Sequence, residues 1–186
     1  MISSFFRNLF PPDSDISEEK MEEYKYLSGF QQKDIVKLRK VFLENTGRSE
    51  TMTKGSFTKI GAIALNPLLD RLCLCFGLED ENATLNFDQF LVGVAAFNAP
   101  GRGEIKIKTA FKIQDFDGDG SISKQDLTEY IKRITINCSE TERDEIVNEV
   151  FRETSSDPKQ ELISFADFQR VVILVDFHAK IHLSIC

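Results

Sequence analysis

Twelve consecutive residues, Asp115-Phe116-Asp117-Gly118-Asp119-Gly120-Ser121-Ile122-Ser123-Lys124-Gln125-Asp126, constrain this chain more than any other stretch. Four carboxylates so close together repel one another, and that crowding is stabilised where a hard divalent cation gathers the oxygens. Asp115, Asp117 and Asp119 alternate at positions 1, 3 and 5, and Gly120 at position 6 permits the sharp turn that wraps the backbone. Ser121 offers its backbone carbonyl at position 7. Ser123 can supply an oxygen at position 9, directly or through water, and Asp126 closes the loop at position 12. An Asp/Gly-rich surface turn with no ion needs none of this spacing.

The loop belongs to an internal repeat. An aliphatic residue followed five positions later by a large apolar one recurs as Met52/Phe57, Leu85/Phe90, Ile122/Leu127 and Ile163/Phe168, with first members 33, 37 and 41 residues apart. Each pair lies between two stripes of helical periodicity. Helix, loop with a central aliphatic residue, helix is the layout of an EF-hand. The expected fold is therefore all-α: four EF-hand repeats in two paired lobes, with very short antiparallel strands between paired loops. Much of the unusual aromatic content, 16 Phe and no Trp, falls at helix-core positions of that pattern.

The division expected is an N-terminal extension over 1–27, an N-terminal pair over 28–97 and a C-terminal pair with a tail over 104–186. Phe97-Asn98-Ala99-Pro100-Gly101-Arg102-Gly103 reads as the linker. Helix starts are read at Ser17, at Ser28 with Gln31 (capping-box spacing ahead of Ile35, Leu38 and Phe42), at Asn66 before Pro67, and at Ser139 with Glu142. The last of these predicts Ile146, Val147, Val150 and Phe151 facing inward.

Three of the four loops are damaged. Counting back from the central aliphatic, the first places Asn45, Gly47, Ser49 and Ser56 at ligand positions, the second Leu78, Asp80, Asn82 and Gln89, and the fourth Ser156, Pro158, Gln160 and Asp167. None carries enough anionic oxygen, which leaves one working site, for Ca²⁺, with Mg²⁺ possible at the same place. Asp126 stands where a loop of this kind ordinarily ends in Glu. It is one methylene shorter, about 1.5 Å of reach, which makes bidentate capture of Ca²⁺ harder and a six-coordinate site relatively better.

Composition excludes several alternatives. With 23 Lys and Arg against 30 Asp and Glu, the chain carries a formal charge of −7, which disfavours nucleic acid as a partner. The longest apolar run, Val171 to Val175, is far too short to span a bilayer. The start Met1-Ile2-Ser3-Ser4 lacks the pattern of a secretory signal, and Ile at position 2 excludes N-myristoylation. Cys73, Cys75, Cys138 and Cys186 are scattered and read as reduced thiols of a cytoplasmic protein. No nucleophile–base pair or phosphate loop marks an enzyme. Phe5, Phe6, Leu9 and Phe10 either pack back on the N-terminal lobe or dock a partner or a membrane surface. His178 and His182 read as surface or groove histidines. The tail beyond Phe177 exceeds what one EF-hand helix needs and reads as a self-docking segment.

The stretches Asn66-Pro67-Leu68-Leu69-Asp70-Arg71-Leu72, Leu85-Asn86-Phe87-Asp88-Gln89-Phe90-Leu91 and Thr109-Ala110-Phe111-Lys112-Ile113 make the sequence resemble the calcineurin B superfamily of EF-hand proteins from about Ser28 onward. Within it, the non-binding first and second hands, the longer second loop and the Asp ending the third are most similar to calcium- and integrin-binding proteins. The resemblance implies an adaptor or regulatory subunit that grips an amphipathic helix of a target protein in a hydrophobic groove, and a C-terminal tail able to occupy that groove. The sequence departs from the pattern in its ligand-poor fourth loop and its missing myristoylation glycine. Two other readings stand beside the adaptor: a constitutive structural subunit with one structural ion, and a soluble calcium buffer.

Overall fold

The computed structural model describes residues 16–98, 103–155 and 161–174. The Phe-rich segment, residues 99–102 of the expected linker, Ser156, Pro158 and Gln160 of the fourth loop, and the tail from Val175 with both histidines lie outside the described residues.

The N-terminal lobe begins with α1 (Glu18–Ser28), started by the Ser17 hydroxyl, which accepts from Lys20 N–H at 3.2 Å, and ended by Gly29 at φ 75°. Met21 and Tyr24 on α1 are buried in the lobe's core. α2 (Gln32–Thr46) follows, burying the stripe Ile35, Leu38 and Phe42. Its N-cap position is held by Gln31 without a side-chain cap, so the expected box with Ser28 does not form. Ser28 is fully buried as the last residue of α1, and its hydroxyl donates back to Tyr24 O at 2.6 Å. The same oxygen accepts from Phe30 N–H at 3.2 Å, in the turn before α2, rather than from the first turn of α2 itself.

Strand β1 (Thr51–Thr53) pairs antiparallel with β2 (Thr84–Asn86), setting Met52 opposite Leu85. Between them run α3 (Lys54–Phe57), α4 (Gly61–Ala64) and α5 (Leu69–Cys75). Asn66 does not cap α5 directly. Its Oδ1 accepts from Leu68 N–H at 2.9 Å, making a turn after which the helix proper starts at Leu69. α6 (Phe87–Asn98) is opened by reciprocal bonds between Asn86 and Gln89, and it stays helical through Phe97, which is buried in the core rather than in a linker. Six of the 16 phenylalanines gather here. Phe42, Phe57, Phe76, Phe87, Phe90 and Phe97 form one chain of ring contacts with centroids 4.7–6.4 Å apart, joined by Tyr24.

The C-terminal lobe repeats the plan. α7 (Gly103–Gln114) leads to β3 (Ser121–Ser123), which pairs antiparallel with β4 (Leu162–Ser164) and sets Ile122 opposite Ile163. α8 (Lys124–Ile134), α9 (Glu140–Thr154) and α10 (Phe165–Leu174) complete it. The Ser139/Glu142 capping box forms as the sequence predicts. Val147 and Phe151 are buried with Ile107, Phe111, Ile131 and Phe168, and Val150 packs against them, but Ile146 is 43% exposed. Val147 and Phe151, four residues apart, define the buried line, and Ile146 falls off its edge. The repeat pairs that organise the sequence, all eight residues, are buried.

Candidate metal centre

The third loop is already wrapped by its own backbone. Asp115 is 7% exposed, and its two carboxylate oxygens accept from Gly118 N–H at 2.8 Å and Gly120 N–H at 3.0 Å. Asp117 Oδ1 accepts from Asp119 N–H at 3.1 Å, and Asp119 Oδ1 from Ser121 N–H at 2.8 Å. Gly118 and Gly120 sit at φ 74° and 90°, a backbone region that a residue with Cβ enters only with strain. Among the described residues, Asp115, Asp117 and Asp119 form a group that offers one carboxylate oxygen each with all three within 4.8 Å of one another. Converging hard oxygens at that separation suit a cation of the Ca²⁺ or Mg²⁺ type.

The remaining three expected ligands are placed differently. Ser121 lies in β3, opposite Ser164. Ser123 is the N-cap of α8, and Asp126 is its capping-box partner, accepting from Ser123 N–H at 2.8 Å and from the Ser123 hydroxyl. The other Asp126 oxygen accepts from Phe116 N–H at 3.1 Å, and the side chain is 4% exposed. Asp126 thus ties position 12 to position 2 across the loop without joining the three-carboxylate group. Beside it, between α8 and α9, opens a polar cleft of about 730 Å³ whose walls include Asp126, Glu129, Lys132, Arg133, Arg143 and Asp144.

The first and second loops are closed by different chemistry. Leu78, at the first ligand position of the second loop, is fully buried, and the Lys54 ammonium reaches across from the first hand to Glu79 O at 3.1 Å and Glu81 Oε1 at 2.8 Å. In the first loop Asn45 turns its amide back onto Val41 O at 2.8 Å. Asp167 of the fourth hand accepts from the Ser164 hydroxyl at 2.7 Å and pairs with Arg170 at 3.3 Å.

Sequence reasoning missed Arg71. From α5 its guanidinium enters the junction between lobes, 7% exposed, and donates to four carbonyls: Lys112 O at 2.7 Å, Ile113 O at 3.2 Å, Phe116 O at 3.2 Å, and Asp115 O. Its neighbour Asp70 takes both bonds from Arg133 of α8, at 2.7 and 2.8 Å. Burial pushes the Asp70 carboxyl up, and the Arg133 bonds outweigh that, holding it below the usual carboxylate range. Contacts spanning 41 to 63 residues leave no local periodicity to read.

Two lobes of paired helix–loop–helix units, with one loop among the described residues gathering carboxylate oxygens, define an EF-hand calcium-binding protein. A family profile for the EF-hand domain pair matches residues 104–173. The calcineurin B subunit of Naegleria gruberi is 34% identical over 170 residues, covering 90% of this chain and 94% of its own length. The calcineurin B subunit of Schizosaccharomyces pombe is 32% identical, covering 78% and 83%. Calcium and integrin-binding family member 2 of Drosophila melanogaster is 29% identical over 183 residues, covering 91% and 96%. The chain belongs to the calcineurin B family. No described helix is long and apolar enough to cross a membrane.

Proposed function

We propose that the protein is a non-catalytic regulatory subunit or adaptor that holds one Ca²⁺ in its third loop and binds an amphipathic helix of a protein target in a hydrophobic groove. The ligands are the side chains of Asp115, Asp117 and Asp119, the Ser121 carbonyl, Ser123 directly or through water, and Asp126 at the closing position. The observation that carries the reading is the convergence of the first three carboxylates in a loop whose backbone is already turned. The ion supplies the positive charge that offsets their mutual repulsion and fixes the loop between α7 and α8. The C-terminal pair, 104–186, is then the ion-responsive half, and 28–97 the half closed by Leu78 and Lys54 instead. That the relatives include calcineurin B chains, named as subunits, and an integrin-binding protein supports a protein partner for this chain.

Isothermal titration should find one Ca²⁺ per chain, abolished by Asp115→Ala; two or more tight sites would overturn the assignment of the damaged loops. Affinity capture of partners with and without chelator tests the second half. Partners held only with Ca²⁺ support a regulated adaptor, partners held equally in both point to a constitutive structural subunit, and no reproducible partner points to a buffer. The structural-subunit reading has one observation in its favour, the closure of the first two loops without carboxylate clusters.

A further inference from the structure

We propose that Arg71 is the positioning residue of the ion loop, acting from the opposite lobe, and that ion affinity is thereby coupled to the docking of the two lobes. The inference rests on the third loop being the ion site.

A helix leaves its last carbonyls without partners, and a cation placed there is favourable both as a donor and against the helix dipole. α7 ends at Gln114, one residue before the first ligand, and Arg71 fills this end from outside the lobe. All four of its bonds go to backbone carbonyls between Lys112 and Phe116. The Asp115 carboxylate is left facing Gly118 and Gly120, on the loop's inner side. A planar guanidinium with donors in a fixed fork sets the orientation of several peptides at once, which a flexible ammonium cannot do. The loop's first turn is therefore held in its wrapped form by a residue of the N-terminal lobe.

The exit helix is tied to the same place. Asp70, next to Arg71, grips Arg133 of α8 with both carboxylate oxygens. The ring of Phe116, at loop position 2 where no ligand is needed, lies 4.8 Å from the Arg71 guanidinium and 4.7 Å from that of Arg133. Two consecutive residues of α5 thus hold the entering and exiting helices of one hand. Any change in the angle between α7 and α8 must either move α5 with it or break these contacts. By reciprocity, a partner that shifts α5 and whose affinity the ion changes by some factor changes ion affinity by that same factor.

The test is a Ca²⁺ titration of the full chain as wild type, Arg71→Met and Arg71→Lys, with hydrogen exchange of the wild type in chelator and in Ca²⁺. Loss of an outer-shell support weakens metal binding by roughly 10-fold to 100-fold, and Arg71→Met should fall in that range. Arg71→Lys should fall with it, because charge alone does not set four carbonyls. In the wild type, Ca²⁺ should slow exchange in α5, which holds no ligand. If Arg71→Met does not fold, Phe116→Leu decides, since it removes the ring but no ligand and should weaken binding in the same direction. Affinity within twofold of wild type in the deciding variant, tighter binding, full rescue by Lys, or ion protection confined to the C-terminal lobe would each overturn the proposal. A wild type that takes up no ion would instead refute the assignment of the loop.

Discussion

Lengthening the closing residue, Asp126→Glu, should raise Ca²⁺ affinity by about tenfold and Mg²⁺ affinity by much less. In the structure both oxygens of the Asp126 carboxylate are engaged, one on Phe116 N–H and the other on Ser123 N–H and hydroxyl. To turn toward an ion it must give up at least the Phe116 bond, and a hydrogen bond to a charged group contributes about 1.5–3 kcal/mol. Some of that loss is subtracted from ion binding. Glutamate at the third position of a helix is itself the ordinary capping-box residue, so the Ser123 cap survives the exchange. Its extra methylene, about 1.5 Å, carries the carboxylate toward the loop without drawing α8 inward. A gain near the lower bound, about 1.4 kcal/mol, is tenfold in dissociation constant. Mg²⁺ demands compact octahedral geometry and gains little from a seventh oxygen. Parallel calorimetric titrations with each ion read the ratio directly. Equal gains for both ions, or no gain for Ca²⁺, would show that reach at position 12 does not limit the site.

Two further expectations concern the N-terminal lobe. A Cβ at Gly93 would stand 2.4 Å from the Phe76 ring, which itself packs on Phe57, Phe90 and Phe97, so Gly93→Ala forces that ring to shift. The helix-propensity gain of about 1 kcal/mol is outweighed by overpacking of about 1–3 kcal/mol, and thermal unfolding in chelator should show a lowered midpoint; an unchanged or raised midpoint would mean the ring moves freely. Burial pushes the Cys75 thiol up to about 11, with Lys112 and Arg71 opposing it, and burial raises Cys73 likewise. At pH 8 only about one Cys75 in a thousand is then thiolate, so alkylation of the folded protein, followed by mass spectrometry, should be very slow there and accelerate with rising pH; reaction at the rate of a free thiol would contradict the packing of α5.

The fold was legible because its signals are local or periodic. Four aliphatic–apolar pairs announced four helix–loop–helix units, and Met52 against Leu85 and Ile122 against Ile163 follow from the spacing. The Ser139 cap was equally readable, since the box is complete within four residues. Ser28 misled because its hydroxyl, buried at the end of α1, donates to Tyr24 O and accepts from Phe30 N–H rather than from the first turn of α2. The carboxylate run of the third loop was visible, but the engagement of Asp126 by Phe116 N–H was not, because it depends on how the loop folds across itself. Arg71 lies in a stretch that carries the family resemblance, but nothing local announces its role: a lone arginine on a short helix usually faces solvent, and its partners lie in the other lobe.

The burial of Leu78 where a ligand would otherwise stand bears on the order in which the molecule is made. Chains generally fold as units, N-terminal first, as they leave the ribosome. The lobe that emerges first here closes through a leucine, a lysine and a cluster of phenylalanine rings, with no carboxylate cluster among its described residues. Arg71 is presented by that lobe to the carbonyls of residues 112–116, so the half that carries the carboxylate loop is completed against it.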